Sequence, residues 1–377
     1  MIVMKFGRIL RWLLIIAVIA ALVIGALHVK EISQILSNLR QAQNAPSAET
    51  TVPTEFTIAA ELTIATEAPT VPETEEPGTA EEGFQVENGT INIRCDSEGM
   101  FVTQGDILSV QVDQAVLSGQ SDKSFVNIVV MPDTRAHITL RNLDLDVEKD
   151  ELAPILVQVS EGSTLTLELD GENSLVAGRY CAGIEKRGTG MLIISDDSGE
   201  AGSLTARGGS GGAGIGGGSR FDCNGLTISG GTIYAVGGMY AAGIGGGSHA
   251  SGYNITISGE AVINAEGGKY AAGIGGGSYG NGEKILFSGS VNVYSAASYT
   301  ASGIGGGAYG QGKDIYAVEN ANITAVGGLR TAEYCAGSHI GDGGSDRTEG
   351  KAYHVDLTDL FATGSVNSVY GVAAEQE

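Results

Sequence analysis

The chain is poor in cysteine, in histidine and in basic residues, and each scarcity excludes a class of chemistry. Its four cysteines, Cys95, Cys181, Cys223 and Cys335, show no zinc-ligand spacing, which sets metal–thiolate chemistry aside. Its five histidines, His28, His137, His249, His339 and His354, are scattered and join no repeated motif, so a nucleophile–base pair is not expected. Lys and Arg number 21 against 44 Asp and Glu, a net charge of −23. A folded part this acidic lacks the basic face that phosphate binding needs, so neither nucleic acid nor anionic lipid is an expected partner. No cysteine lies near the end of the one long hydrophobic run, so a lipoprotein is not expected. Helical periodicity is nearly absent beyond residue 83.

What the chain does have is a near-repeat of about 30 residues, each copy carrying Gly-Ile-Gly-Gly-Gly. The runs begin at Gly214, Gly243, Gly273 and Gly303, at spacings of 29, 30 and 30. Such a period marks a solenoid, propeller or array. Aligned copies give apolar columns: Leu226/Ile228, Ile255/Ile257, Ile285/Phe287 and Ile315/Ala317, then Ile233/Ala235, Ile263/Ala265, Val293/Ser295 and Ile323/Ala325. A third column is Ile215, Ile244, Ile274 and Ile304, with Ile184 and Ile340 as outlying members. Residues two apart in a strand share a face, so three inward groups per copy mean three short strands per turn. Weaker members at Ile138/Leu140, Leu165/Leu167 and Leu192/Ile194 extend the first column upstream. The expected fold is all-β: a right-handed parallel β-helix of about 30 residues per coil over 84–373, in roughly eight to ten coils. Thirty residues is too short for a propeller blade. The glycine runs are then corners, where backbone turns with positive φ or passes close to the next coil. A phosphate cradle would need a helix after the loop, and Ser219–Asn224 leads into a strand instead.

Two segments precede the solenoid. Lys5, Arg8 and Arg11 lead into Trp12–Val29, eighteen residues without a full charge, which predicts a spanning signal-anchor helix with the N-terminus inside and the rest exported. Cleavage as a signal peptide is the competing reading, but Ile32, Ile35, Leu36 and Leu39 continue the helical spacing and no A-x-A site stands out. The expected organisation is residues 1–43 for the tip, helix and extension, then a disordered Thr/Glu/Pro-rich stalk at 44–83, the solenoid, and a tail at 374–377. From 41 to 93 there are ten Glu and no base, a composition that repels itself and builds no core.

Candidate sites follow from the columns. Tyr234 and Tyr294 share an outward column with Asn264 and Thr324, while Tyr279 and Tyr309 lie in Tyr-Gly-Asn-Gly and Tyr-Gly-Gln-Gly turns with Asn281 and Gln311. Tyrosines at a regular rise beside amides suit sugar rings, which offer an apolar face and a hydroxyl rim. His249 falls in the turn column with Arg220, Tyr279 and Tyr309, which places it on the surface. Tyr240 and Tyr270, with Tyr180 and Tyr334 in flanking copies, precede the glycine runs and read as packing. Asp144 and Asp146, in a run ending at Glu151, and Asp342 and Asp346, in Gly-Asp-Gly-Gly-Ser-Asp, are oxygen-rich segments of the kind that take calcium. The turn Asp196, Asp197 and Glu200 is another acidic group. A glycosidase carboxylate pair is not expected in the copies from 208 to 312, which contain almost no acids. Cys181 and Cys335 both precede Ala-Gly, five coils apart, about 24 Å by strand spacing and too far for a disulfide, so both are expected to be buried fillers replacing alanine.

With Ser163-Thr-Leu-Thr-Leu, the Ala-Gly-Ile elements at 182–184 and 213–215, and the strand from Leu226 (Leu-Thr-Ile-Ser-Gly-Gly-Thr-Ile), residues 84–345 resemble the parallel β-helix carbohydrate-binding domains of clostridial-type bacterial surface proteins. The resemblance implies binding of acidic or cellulosic polysaccharide, in some cases with calcium. Pectate-lyase-like enzymes share the fold, and fold does not dictate activity. Lys186 and Arg187 are read as a turn near no acidic patch, which ranks an enzyme third. The expected protein is a monomeric, membrane-anchored, extracellular and non-catalytic binder of cell-wall or plant-type glycan. A surface adhesin or structural solenoid is the alternative, and a polysaccharide lyase or hydrolase the second.

Overall fold

Apolar and polar residues alternate over runs of about five, and each run forms a strand with one face inward and one face outward. The computed structural model of the protein describes residues 83–105, 107–197, 201–330 and 335–351. The expectations for the helix at 12–29, the stalk at 44–82, Glu200, Tyr334, His28, His354, the solenoid beyond 351 and the tail lie outside the described residues. Among the described residues no helix is long and apolar enough to cross a membrane.

The described chain winds as a parallel β-helix of about eight turns. Strands of a first face (Cys223–Ile228, Gly252–Ile257, Gly282–Phe287, Gly312–Ala317) pair in parallel from one coil to the next. So do those of a second face (Ser203–Arg207, Thr232–Val236, Val262–Glu266, Asn292–Ala296, Asn322–Val326). A third face consists of Ile155–Val159, Ile184–Arg187 and then the two-residue strands Ile215–Gly216, Ile244–Gly245, Ile274–Gly275, Ile304–Gly305 and Ile340–Gly341. The long strand Arg135–Asp146 pairs with the first face through 135–141 and with the second through 144–146, so those two faces form one sheet. The inward columns meet in a single apolar core.

The three columns from Ile215 to Ile340 hold as expected. Upstream, the register differs by two residues: Ile138 pairs with Leu167 and Leu140 with Leu169. A slip of two preserves the side-chain faces, which is why the pattern alone did not detect it. The first described strands also depart from the coil pattern. Gly99–Gln104 runs antiparallel to Ile91–Asp96, and Ile107–Val112 antiparallel to Gly99–Gln104. Ile340 in register with Ile304 places Gly337, not Cys335, at the position of Ala301. Cys335 is buried but two residues earlier, and Cys181 is half-buried with its thiol 3.6 Å from the Glu151 carbonyl, so the two do not share a place. All four cysteines are free.

The narrow third face has a local cause. Gly216, Gly245, Gly275 and Gly305 have φ between 128° and 137°, and a methyl group on Gly275 would overlap the carbonyl oxygen of Gly305 in the next coil. Only glycine turns the chain there while letting successive coils stack. In the earlier coil the same register position is Glu185, and the strand continues extended to Arg187. Gly275→Ala is therefore expected to lower stability by about 2 kcal/mol or more. Gly89→Ala, at a φ of 113° with nothing within 4 Å of the added methyl, is expected to cost less. Urea titration followed by circular dichroism compares the two, and equal midpoints would sink the stacking explanation.

Candidate functional site

On the outer side of the second face, register sets three rows of side chains. One row is Thr232, Val262 and Asn292, and the next is Thr205, Tyr234, Asn264, Tyr294 and Thr324. The third is Arg207, Val236, Glu266, Ala296 and Val326. Side chains on a strand stand roughly perpendicular to the sheet, so Tyr234 and Tyr294 rise on either side of the shorter Asn264. The result is a groove of about 180 Å³ lined by Thr232, Val262, Asn292 and the Tyr234–Asn264–Tyr294 set, with the backbone of Ile233 and Ile263 beneath. Tyr234 is 48% and Tyr294 42% exposed. Asn264 Oδ1 is shielded from solvent and accepts no hydrogen bond. No carboxylate, imidazole, amine or guanidinium lines the groove.

The other predicted residues lie elsewhere. Tyr279 and Tyr309 occupy the turns between the third and first faces, the corner across the coil from the second face. His249, Tyr279 and Tyr309 form a ladder, with ring centroids 5.1 Å and then 4.9 Å apart and planes within 16° and 8° of parallel. Arg220, His249, Tyr279 and Tyr309 all have φ between 60° and 66°, so one turn geometry repeats and carries the side chains into stack. Tyr279 has a neighbour on each face and cannot take a sugar ring there. Asn281 is also spent on the coil: its Oδ1 accepts the Gln311 N–H at 2.9 Å and its Nδ2 donates to Glu283 Oε1 at 3.1 Å. Gln311 is exposed on the same corner. Tyr240 and Tyr270 stack at 5.7 Å, as packing predicts. The seven candidate glycan residues thus form two separate groups, and Tyr234, Asn264 and Tyr294 line this groove.

The four calcium candidates do not converge. Asp144 and Asp146 end a strand in the early coils, while Asp342 and Asp346 follow the last third-face strand. Asp144 Oδ2 accepts from Gln120 Nε2, Asp146 Oδ1 from the Glu148 N–H, and Asp342 Oδ1 from the Gly312 N–H. Asp346 is 3.7 Å from Arg347 Nε. Calcium takes six to eight oxygens, and among the described residues no group of three or more His, Cys, Asp or Glu side chains could hold a metal.

A buried polar cluster went unread in the sequence. Glu185, Lys186 and Arg187 lie in a strand rather than a turn, and Glu185 and Lys186 are each 1% exposed. Arg187 Nη2 and Nε donate to Glu185 Oε1 at 2.6 and 2.9 Å, and the guanidinium lies 4.4 Å over the Phe221 ring. Lys186 pairs in register with Val157, an interior position, and its Nζ donates to the Gly188 carbonyl at 3.1 Å. Burial holds the Lys186 ammonium below its usual range, and burial pushes the nearby Cys223 thiol up to about 11. Cys181 is pushed to about 12, by burial first and then by the Glu185 charge. Thiols held protonated are poor nucleophiles. The signal available in advance was the break in the glycine column at Glu185. In the same early coils the acidic turn is likewise structural: Glu168 accepts from the Ser195 hydroxyl at 2.5 Å and the Asp197 N–H at 2.7 Å.

A family model described as the beta helix repeat matches residues 226–248 and 255–278, the segments that carry Tyr234 and Asn264. No curated protein and no solved structure matches the chain. The parallel β-helix class is thus supported by both the fold and the repeat.

The buried lysine makes a pH-dependent prediction. Because its folded-state pKa lies below the ordinary 10.5, the unfolded chain holds the extra proton between the two values. Stability therefore rises with pH through that window and is lost as pH falls back through it. Lys186→Met is expected to stabilise the protein by about 1–2 kcal/mol at neutral pH, with the advantage shrinking toward pH 10.5. Denaturation of both proteins across that range checks it, and curves that stay parallel would count against a buried, strained ammonium.

Proposed function

We propose that this protein is an extracellular β-helix that binds polysaccharide through its second face and does not cleave it. The observation that carries this reading is the groove between Tyr234 and Tyr294 over Asn264. Two half-exposed aromatic rings offer apolar faces to the C–H side of a sugar, and the Asn264 side chain between them leaves room for its ring. Glycoside cleavage by the usual route needs two carboxyl groups about 5–9.5 Å apart, and the groove lining has none. Export and anchoring through residues 12–29, with 44–83 as a stalk, complete the proposal and rest on the sequence pattern.

A second reading, adhesion to a protein or cell partner, draws on the exposed Phe221, Met239, Tyr240, Tyr279 and Tyr309 along the two corners flanking the narrow third face.

Pull-down of the full chain with insoluble glucans, pectin and wall glycans, followed by calorimetry on soluble fragments, tests the proposal. Tyr234→Ala and Tyr294→Ala are each expected to weaken binding about five- to tenfold, whereas Tyr279→Ala should leave it within about twofold, since both faces of that ring are already covered. Absence of binding to every glycan would sink the reading and favour the adhesin.

A further inference from the structure

The groove has a direction, and that direction constrains the ligand. Tyr234 and Tyr294 lie two coils apart along the solenoid axis, about 9.6 Å by strand spacing. They close the groove along the axis and leave it open along the strand Val262–Glu266. The lining residues at one mouth are Thr232, Val262 and Asn292, and the register places Val236, Glu266 and Ala296 at the other. A ring held between two aromatic faces needs two carbon contacts of about 4.0–4.5 Å each, which the two-coil separation accommodates.

We infer that one pyranose ring inserts edge-on between Tyr234 and Tyr294 over the short Asn264 side chain, and continues as a chain crossing the face parallel to the strands. This rests on the glycan reading above. The same geometry assigns the ligand as uncharged. The strands Thr232–Val236, Val262–Glu266 and Asn292–Ala296 contain no lysine or arginine to receive a carboxylate, and the charge at their mouth is that of Glu266. Arg207 stands two coils from Glu266 in the same row, and Lys269 is engaged over the Tyr270 and Tyr299 rings at 5.2 and 5.3 Å. Asn264 becomes the specificity-determining residue, because its short side chain between two rings sets the gap that the sugar enters.

Asn264→Tyr separates insertion from the alternative in which a chain lies along the axis over the tops of the rings. It fills the gap with a third ring in register, a substitution that a pleated outer surface accommodates. Insertion predicts that the full-length Asn264→Tyr chain loses binding at least about tenfold, whereas the similarly sized Asn264→Leu, which keeps the gap open, stays within about threefold. Unchanged or stronger binding by Asn264→Tyr would overturn the insertion geometry. Charge is probed by calorimetry of the wild-type chain with a galacturonate hexamer, its full methyl ester and a neutral 1,4-linked glucan hexamer. The uncharged ligands are expected to bind at least about tenfold more tightly than the free acid. Equal or tighter binding of the acid would overturn the uncharged assignment while leaving the glycan reading intact. Binding of none of the three, nor of any insoluble glycan, would remove the glycan reading and this inference with it.

Discussion

Everything in this structure depends on coils stacking in register at the spacing of parallel strands. Each strand pairs in parallel with its counterpart one coil away, so residues in register sit above one another inside and outside. Inside, this produces columns of isoleucine, leucine and alanine with no exposed member. At the corners it brings backbone against backbone so closely that glycine is the residue that fits, as the near-contact between Gly275 and the Gly305 carbonyl shows. The repeated Gly-Ile-Gly-Gly-Gly is therefore a requirement of coil stacking.

The same stacking converts small differences between copies into surface features. Where adjacent copies both carry a ring, the rings cover each other, as in the His249–Tyr279–Tyr309 ladder. Where a short residue stands between two rings, the column opens, as at Asn264 between Tyr234 and Tyr294. A ladder buries aromatic faces and rigidifies a corner, whereas a gap leaves them available to a ligand. Departure from the repeat, rather than the repeat itself, is what opens a groove here.

Departures inside the coil have the opposite consequence. Glu185 replaces the turning glycine, the strand runs on, Glu185 pairs with the half-buried Arg187, and the Lys186 ammonium between them is buried. Glu185 is the buried member of that pair, and removing Arg187 would leave its charge uncompensated. It stands at the junction between the broad early coils and the narrow glycine coils.

The sequence by itself determined the solenoid, its 30-residue coil, the three inward columns and the identity of their members, because a periodic core writes its period into the chain. The tyrosine column with Asn264 was legible for the same reason. What the sequence did not determine was which tyrosines are covered, since the columns set His249, Tyr279 and Tyr309 one coil apart but not the turn geometry that lays their rings face to face. Nor did it show the two-residue shift at Ile138, the antiparallel strands at 99–112, or the burial of Lys186. Those belong to tertiary structure alone. Shifts of two leave the inward–outward alternation unchanged, and the depth of a charged side chain depends on neighbours about thirty residues away in the chain.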